Sequence, residues 1–180
     1  MRELAGYWRE ARGQAIAPRI ADIDPSRFAR LLPAIWMCDV VDNDPRRRFR
    51  YRLIGDHVRV AYGENIVGRT LEELTVPSAI ERVVGYFAVC ADPAVVHMTG
   101  RLFAESERPA SGERLLLPFL SNDGSRVSRI LGATLHSWAL ERGRSLATAP
   151  AHQIRTFIPA NGGPAWCEDW LETPAAAAIS

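Results

Sequence analysis

Asp56 and His57 stand side by side in the stretch IGDHVRVAYGENIVGRTLEEL, residues 54–74. A carboxylate beside an imidazole is the raw material of general acid–base chemistry. Adjacent side chains on a helix diverge by about 100°, however, so the two would not face each other there. The local reading is that Asp56 caps a helix after Gly55 and that His57 is an ordinary polar or half-buried residue. His97 and His136 fall on separate predicted strands that could be neighbours across a sheet. Two imidazoles on one face would begin a metal site, but no third ligand stands at a convincing spacing, so no metal is expected. Cys38, Cys90 and Cys167 lie far apart without a C-x-x-C pair, and the first two sit in apolar stretches where an inert buried thiol is the default. There is no G-x-S-x-G elbow, no H-E-x-x-H, no phosphate-binding G-x-x-x-x-G-K and no G-x-G-x-x-G. Lys is absent, which removes Schiff-base and Lys-base chemistry. No catalytic residue is therefore assigned. The catalytic alternative is a small α+β hydrolase or isomerase with His57 or His97 as base and Asp56 or Glu105 nearby. A scaffolding domain with no cavity is a third reading.

The composition narrows the partners. All 22 basic residues are Arg, and 21 acidic residues are interleaved with them for a net charge of +1. The run Arg46-Arg47-Arg48 is thus a solvated turn and not part of a basic face, and no nucleic acid is expected. An odd number of scattered cysteines argues for a reducing compartment, the cytoplasm. The first ten residues, MRELAGYWRE, carry charge and no apolar run, so no signal peptide is expected, and no apolar stretch is long enough to span a membrane.

Elements must position whatever chemistry remains. Leu4, Tyr7, Trp8 and Ala11 recur at helical spacing and predict a short amphipathic helix ended by Gly13. In DIDPSRFARLLP, Asp24 is the expected N-cap, Pro25 the first helical residue and Pro33 the stop, with Phe28, Leu31 and Leu32 on one face. AIWMCDVV and RRFRYRLIG read as strands of an antiparallel hairpin, the second alternating Phe49, Tyr51 and Leu53 with Arg48, Arg50 and Arg52. Thr70 with Glu73, and Ser78 with Glu81, have capping-box spacing and mark two helix starts. The second opens AIERVVGYFAVCA, whose Ile80, Val83, Val84, Phe87, Ala88 and Ala91 form one stripe. Gly63 and Gly68 read as turns. AVVHMTGRLF, RLLLPFL and VSRILGATLHSWAL are three further strands, the last two joined by the turn SNDGS. HQIRTFIP is either an extra strand or a docking segment.

The sum is an α+β chain: an antiparallel sheet of about five strands, with short helices and one longer helix on one face and an amphipathic helix at the N-terminus. Its parts are an N-terminal helical extension over 1–33, a central domain over 34–146 and a partly irregular extension over 147–180. The long helix must cover the sheet. Where Gly100 and Gly132 face it a cavity is open to a small apolar or amphipathic ligand, bounded by Val83, Phe87, Met98, Leu115, Leu117 and Leu131, with Tyr86 and Cys90 as its polar margin. Solid packing of the same residues is the rival reading.

This order of elements resembles a PAS domain, and more narrowly a bacterial branch of PAS-like proteins once catalogued only as a domain of unknown function. The residues carrying the resemblance are YWREARG, DIDPSRFARLLP, FRYRLIGDHVRVAYGENIVGRTLEEL and RLLLPFLSNDGSRVSRILGA, within roughly 4 to 140. It implies a sensory or regulatory module without catalytic activity, which binds a small ligand, a signalling protein or both. It also implies a homodimer formed through the N-terminal helix, making Leu4, Tyr7, Trp8 and Ala11 the interface candidates. The Asn-Cys-Arg-Phe motif of the flavin photosensors is missing, since Cys90 lies in AVCADP. Neither flavin nor haem is expected, and no other cofactor.

Overall fold

The computed structural model describes residues 1–43, 46–102, 110–138 and 151–172. Helix α1 (Arg2–Arg12) leads through a short 3-10 turn into a second 3-10 segment, Pro25–Ala34. Strands β1 (Ile35–Asn43) and β2 (Arg46–Ile54) follow, then helices α2 (Asp56–Tyr62), α3 (Leu71–Leu74) and α4 (Pro77–Ala91). Strands β3 (Ala94–Leu102), β4 (Ala110–Leu120), β5 (Val127–Trp138), β6 (Ala151–Pro159) and β7 (Trp166–Glu172) come next. Among the described residues no helix is long and apolar enough to cross a membrane.

Among the described residues, seven strands form one antiparallel sheet in the order β2-β1-β5-β4-β3-β6-β7. The expected five are the first five. The count of five is corrected beyond them: HQIRTFIP is the extra strand of its two readings, β6, pairing along β3 from Ala94–Pro159 to Gly100–Gln153, and β7 pairs along β6. An exposed β3 edge would leave a row of backbone groups without partners, and the β6–β7 hairpin satisfies them. SNDGS turns as its Asp-Gly predicts, with Gly124 at φ 75° and the Ser121 amide donating to the Arg126 carbonyl at 2.8 Å.

Paired residues in adjacent strands point to the same side, so the register divides the sheet into two faces. Trp36, Cys38, Phe49, Tyr51, Met98, Arg114, Leu116, Gly132, Thr134, Gln153 and Arg155 share the face on which α4 packs. There the Phe87 ring lies 5.5 Å from Trp36 and 5.2 Å from Phe49, centroid to centroid. Leu115, Leu117, Phe119, Leu131 and Ala133 point the other way and are buried beneath the N-terminal segment. Trp8 fixes that segment by donating its indole N–H to the Pro118 carbonyl at 2.8 Å, and Tyr7 does so through the Asp22 carbonyl and the Asp24 amide.

Three local expectations need correction. Asp24 does cap its segment through the Ser26 amide at 3.0 Å, but the segment is 3-10 and kinks at Phe28, and Leu32 is exposed. Gly55, not Asp56, is the N-cap of α2; Asp56 is its first residue and pairs with Arg59 at 3.1 Å. Of the two capping boxes, that of α3 forms, with the Thr70 amide donating to the Glu73 carboxylate at 2.6 Å. That of α4 does not: Pro77, with its φ already set for a helix, begins it one residue before Ser78.

Candidate functional site

A pocket of about 220 Å³ opens between α2, α3, α4 and the sheet. The alternation of β2 delivers Tyr51 to it, and α2 ends on Tyr62, where Gly63 adopts the left-handed conformation that stops the helix. The two phenol oxygens are 3.3 Å apart. Helix α4 contributes Arg82, Val83, Tyr86 and Phe87, one and four residues apart and so on one side. Leu71, Leu74 and Val76 supply an apolar rim.

The floor is polar. Arg114 of β4 is buried, donating from Nε to Thr134 Oγ1 at 3.1 Å and from a terminal nitrogen to Tyr86 Oη at 3.2 Å. Thr134, fully buried, also accepts the Trp36 indole N–H at 2.9 Å. Burial works against the Arg114 charge, but the phenols of Tyr86, Tyr62 and Tyr51 more than offset it and its pKa lies above the usual value. Burial pushes the Tyr51 and Tyr62 phenols up, so both stay protonated at neutral pH. The floor therefore presents a cation and neutral hydroxyls.

The far wall comes from the β6–β7 hairpin. Gln153 donates to the Arg101 carbonyl at 3.0 Å and accepts from Arg155 Nε at 2.7 Å, which fixes its amide. Arg82 lies 3.9 Å above the Trp170 ring and Arg155 5.5 Å from it. Arg155 also reaches Glu168 at 3.7 Å.

Three of the ten pocket candidates, Val83, Tyr86 and Phe87, line this space. Cys90 and Met98 are core residues, and burial raises the thiols of Cys38 and Cys90 well above the ordinary value. Leu115, Leu117 and Leu131 belong to the opposite face of the sheet. Neither glycine opens a cavity. A Cβ on Gly132 would stand 2.1 Å from the Trp36 indole, which fills that space, and one on Gly100 would stand 2.3 Å from the His152 carbonyl oxygen, because β6 runs there. The interface candidates Leu4, Tyr7 and Trp8 are buried within the protomer and Ala11 is half-buried, so that stripe is spent on the chain's own fold. Sequence reasoning missed Arg114, Thr134, Tyr51, Tyr62, Gln153 and Trp170. The one available signal was Tyr51, on the buried side of the β2 alternation.

The sequence matches the PAS domain family over residues 1–135. The chain belongs to that family. No curated protein and no solved structure matches it. The PAS match ends inside β5, so Gln153 and Trp170 of the pocket wall lie beyond the matched residues.

Among the described residues, no His and carboxylate stand together in the lining of the pocket. His97 bonds Glu113 at 2.7 Å on the opposite face of the sheet, and Glu105 lies outside the described residues. His97 and His136 are not neighbours, since β4 runs between their strands and they point to opposite faces. His136 instead packs against His57, ring centroids 4.2 Å apart and the planes tilted by 32°. Among the described residues no group of three His, Cys, Asp or Glu side chains is placed to hold a metal ion.

The burial of His136 against His57 is expected to make stability depend on pH. Burial, then His57 and Arg114, lower the His136 pKa from its ordinary 6.5. The unfolded chain therefore binds this proton more readily, and stability falls as pH drops through 6.5, levelling off below the depressed folded value. Urea midpoints across that range should fall on acidification in the wild type and change less in His136→Gln. An equal pH slope in the two proteins would rule out this contribution.

Proposed function

We propose that this PAS chain is a sensory or regulatory module whose input is occupancy of the pocket by a small molecule and whose output passes to a signalling protein partner. The observation that carries the reading is the pocket itself, with a buried guanidinium and three phenols gathered beside apolar side chains of α3 and α4. A solid core has no use for such a cluster, because each polar group taken from water must be re-bonded at a cost. The module acts without catalysis of its own and without haem or flavin. In support, the described lining holds no His, Cys, Asp or Glu that could serve as base or nucleophile near neutral pH. A reducing, cytoplasmic setting agrees with three free cysteines, of which two are buried.

Native mass spectrometry of the purified chain, followed by a thermal-shift screen of small metabolites, tests the input. A retained mass, or a hit that raises Tm by roughly 5–10 °C at a hundred times its Kd, is the expected result. No retained mass and no hit would sink the ligand reading.

A further inference from the structure

We propose that the pocket binds a small hydroxylated aromatic ring, a simple phenol in chemical class, whose hydroxyl meets the Tyr51 phenol and whose ring lies among the aromatic side chains of the wall. The inference rests on the pocket being a ligand site and adds the chemical class of the ligand.

The hydroxyl end comes first. Tyr51 and Tyr62 both line the pocket, their oxygens 3.3 Å apart, and either can donate to the other. Tyr51 is 4% exposed, and among the described residues Tyr62 is the only hydrogen-bond partner of its hydroxyl. A phenol hydroxyl has one proton to donate and lone pairs to accept with, so the shared bond leaves Tyr51 with capacity to spare. If Tyr51 donates to Tyr62, what remains is an acceptor; if it accepts, what remains is a donor. A ligand hydroxyl answers both cases, whereas a carbonyl answers only the second. A purely apolar ligand would displace water from this buried hydroxyl and leave it without a bond in exchange, which weakens binding. The arginines of the lining do not define the ligand. Arg114 is bonded to Thr134 and Tyr86, Arg82 lies on Trp170, and both of them, like Arg101, make further interactions within the chain.

The body of the ligand follows from the walls. Tyr51, Tyr62, Tyr86, Phe87 and Trp170 place five aromatic rings around one space. Aromatic pairs gain from offset and edge-to-face contact beyond the area they bury, so a flat ring suits this wall better than a saturated ring of the same size. The volume of about 220 Å³ lies below the usual range for drug-sized ligands, which limits the body to a single small ring. Two of the five rings are held in place before any ligand arrives: Tyr86 accepts from Arg114 at 3.2 Å, and Trp170 lies 3.9 Å beneath Arg82. A wall ordered in advance loses less affinity to its own immobilisation.

Titration calorimetry on the full chain with phenol, cyclohexanol and toluene tests both halves. Phenol is expected to bind roughly two- to tenfold more tightly than cyclohexanol, which keeps the hydroxyl without the aromatic ring, and several-fold more tightly than toluene, which keeps the ring without the hydroxyl. In Tyr51→Phe, checked for native circular dichroism, the second preference should reverse, with toluene binding at least as tightly as phenol. The ligand series uses the wild-type protein and decides the matter even if that variant does not fold. Cyclohexanol or toluene binding as tightly as phenol would overturn the class while leaving a ligand site. An unchanged preference for phenol in folded Tyr51→Phe would overturn the place given to its hydroxyl, and absence of phenol binding at millimolar concentration would overturn the proposal outright. The ligand reading fails as well only if the mass and thermal-shift experiments are empty too.

Discussion

Replacing Trp36 by Ala is expected to lower the unfolding free energy by about 3–5 kcal/mol, the usual cost of emptying a large aromatic site. Trp36 is 2% exposed, packs against the rings of Tyr51 and Phe87 at 5.8 and 5.5 Å, and fills the space that Gly132 leaves on the neighbouring strand. Since single domains have only about 5–15 kcal/mol in all, this one change removes a large share. The lost indole bond adds little, because Thr134 still accepts from Arg114. The measurement is a urea midpoint, which should fall with the slope unchanged. Adding Gly132→Val to Trp36→Ala should restore part of the loss, whereas Gly132→Val alone should destabilise, so the two sites couple with opposite sign. A loss below about 1 kcal/mol for Trp36→Ala, or strictly additive effects in the double variant, would mean that the indole does not occupy the Gly132 gap.

Gly100→Val carries the second large effect, and it is directed at the pocket. Gly100 has φ 110°, a conformation that side-chain-bearing residues rarely adopt, and its missing Cβ would be 2.3 Å from one backbone atom of β6 and 3.1 Å from another. Backbone strain of about 1–3 kcal/mol adds to an overpacking cost of similar size, so roughly 2–5 kcal/mol is expected. The chain can avoid part of that cost by letting β6 lift away from β3. Amide exchange of Ile154–Phe157 should then accelerate far more than that of Ile130–Ala133 in the central strand β5. Ligand response should vanish with it, because Gln153 and Trp170 leave together. Wild-type exchange in β6 would show that the close approach at Gly100 is not what seats the hairpin.

These two glycines also mark the limit of what could be read from residues alone. A Gly facing a helix implies empty space only if nothing else comes to occupy it. Here Trp36 and β6, both remote in sequence, do so. The first five strands were legible because β2 alternates cleanly and the turns before β2 and β5 carry strong turn residues. Strand β4 misled for the opposite reason. Leu115, Leu116 and Leu117 are buried on both faces of a central strand, so no alternation separates the residues under α4 from those under the N-terminal segment. Strand β7 was invisible because its pattern is inverted for a half-buried strand: Leu171 is 61% exposed while Glu168 sits on the pocket side of the sheet. Arg114 opens the apolar run RLLLPFL, and only the register sets it beneath Tyr86.

The pocket wall is drawn from positions as far apart as Tyr51 and Trp170. On a ribosome adding about 5–20 residues per second, strands β1 to β5 emerge and can pair before Gln153 and Trp170 exist. The same non-local closure makes the hairpin slow to join by any route, since a long loop must be closed before its contacts form. On the proposed reading, a ligand held between β2, α4 and the hairpin would bind only the finished sheet and withdraw finished molecules from the unfolding equilibrium. Occupancy in the cell would then report on the maturation of the chain as well as on the concentration of the proposed ligand.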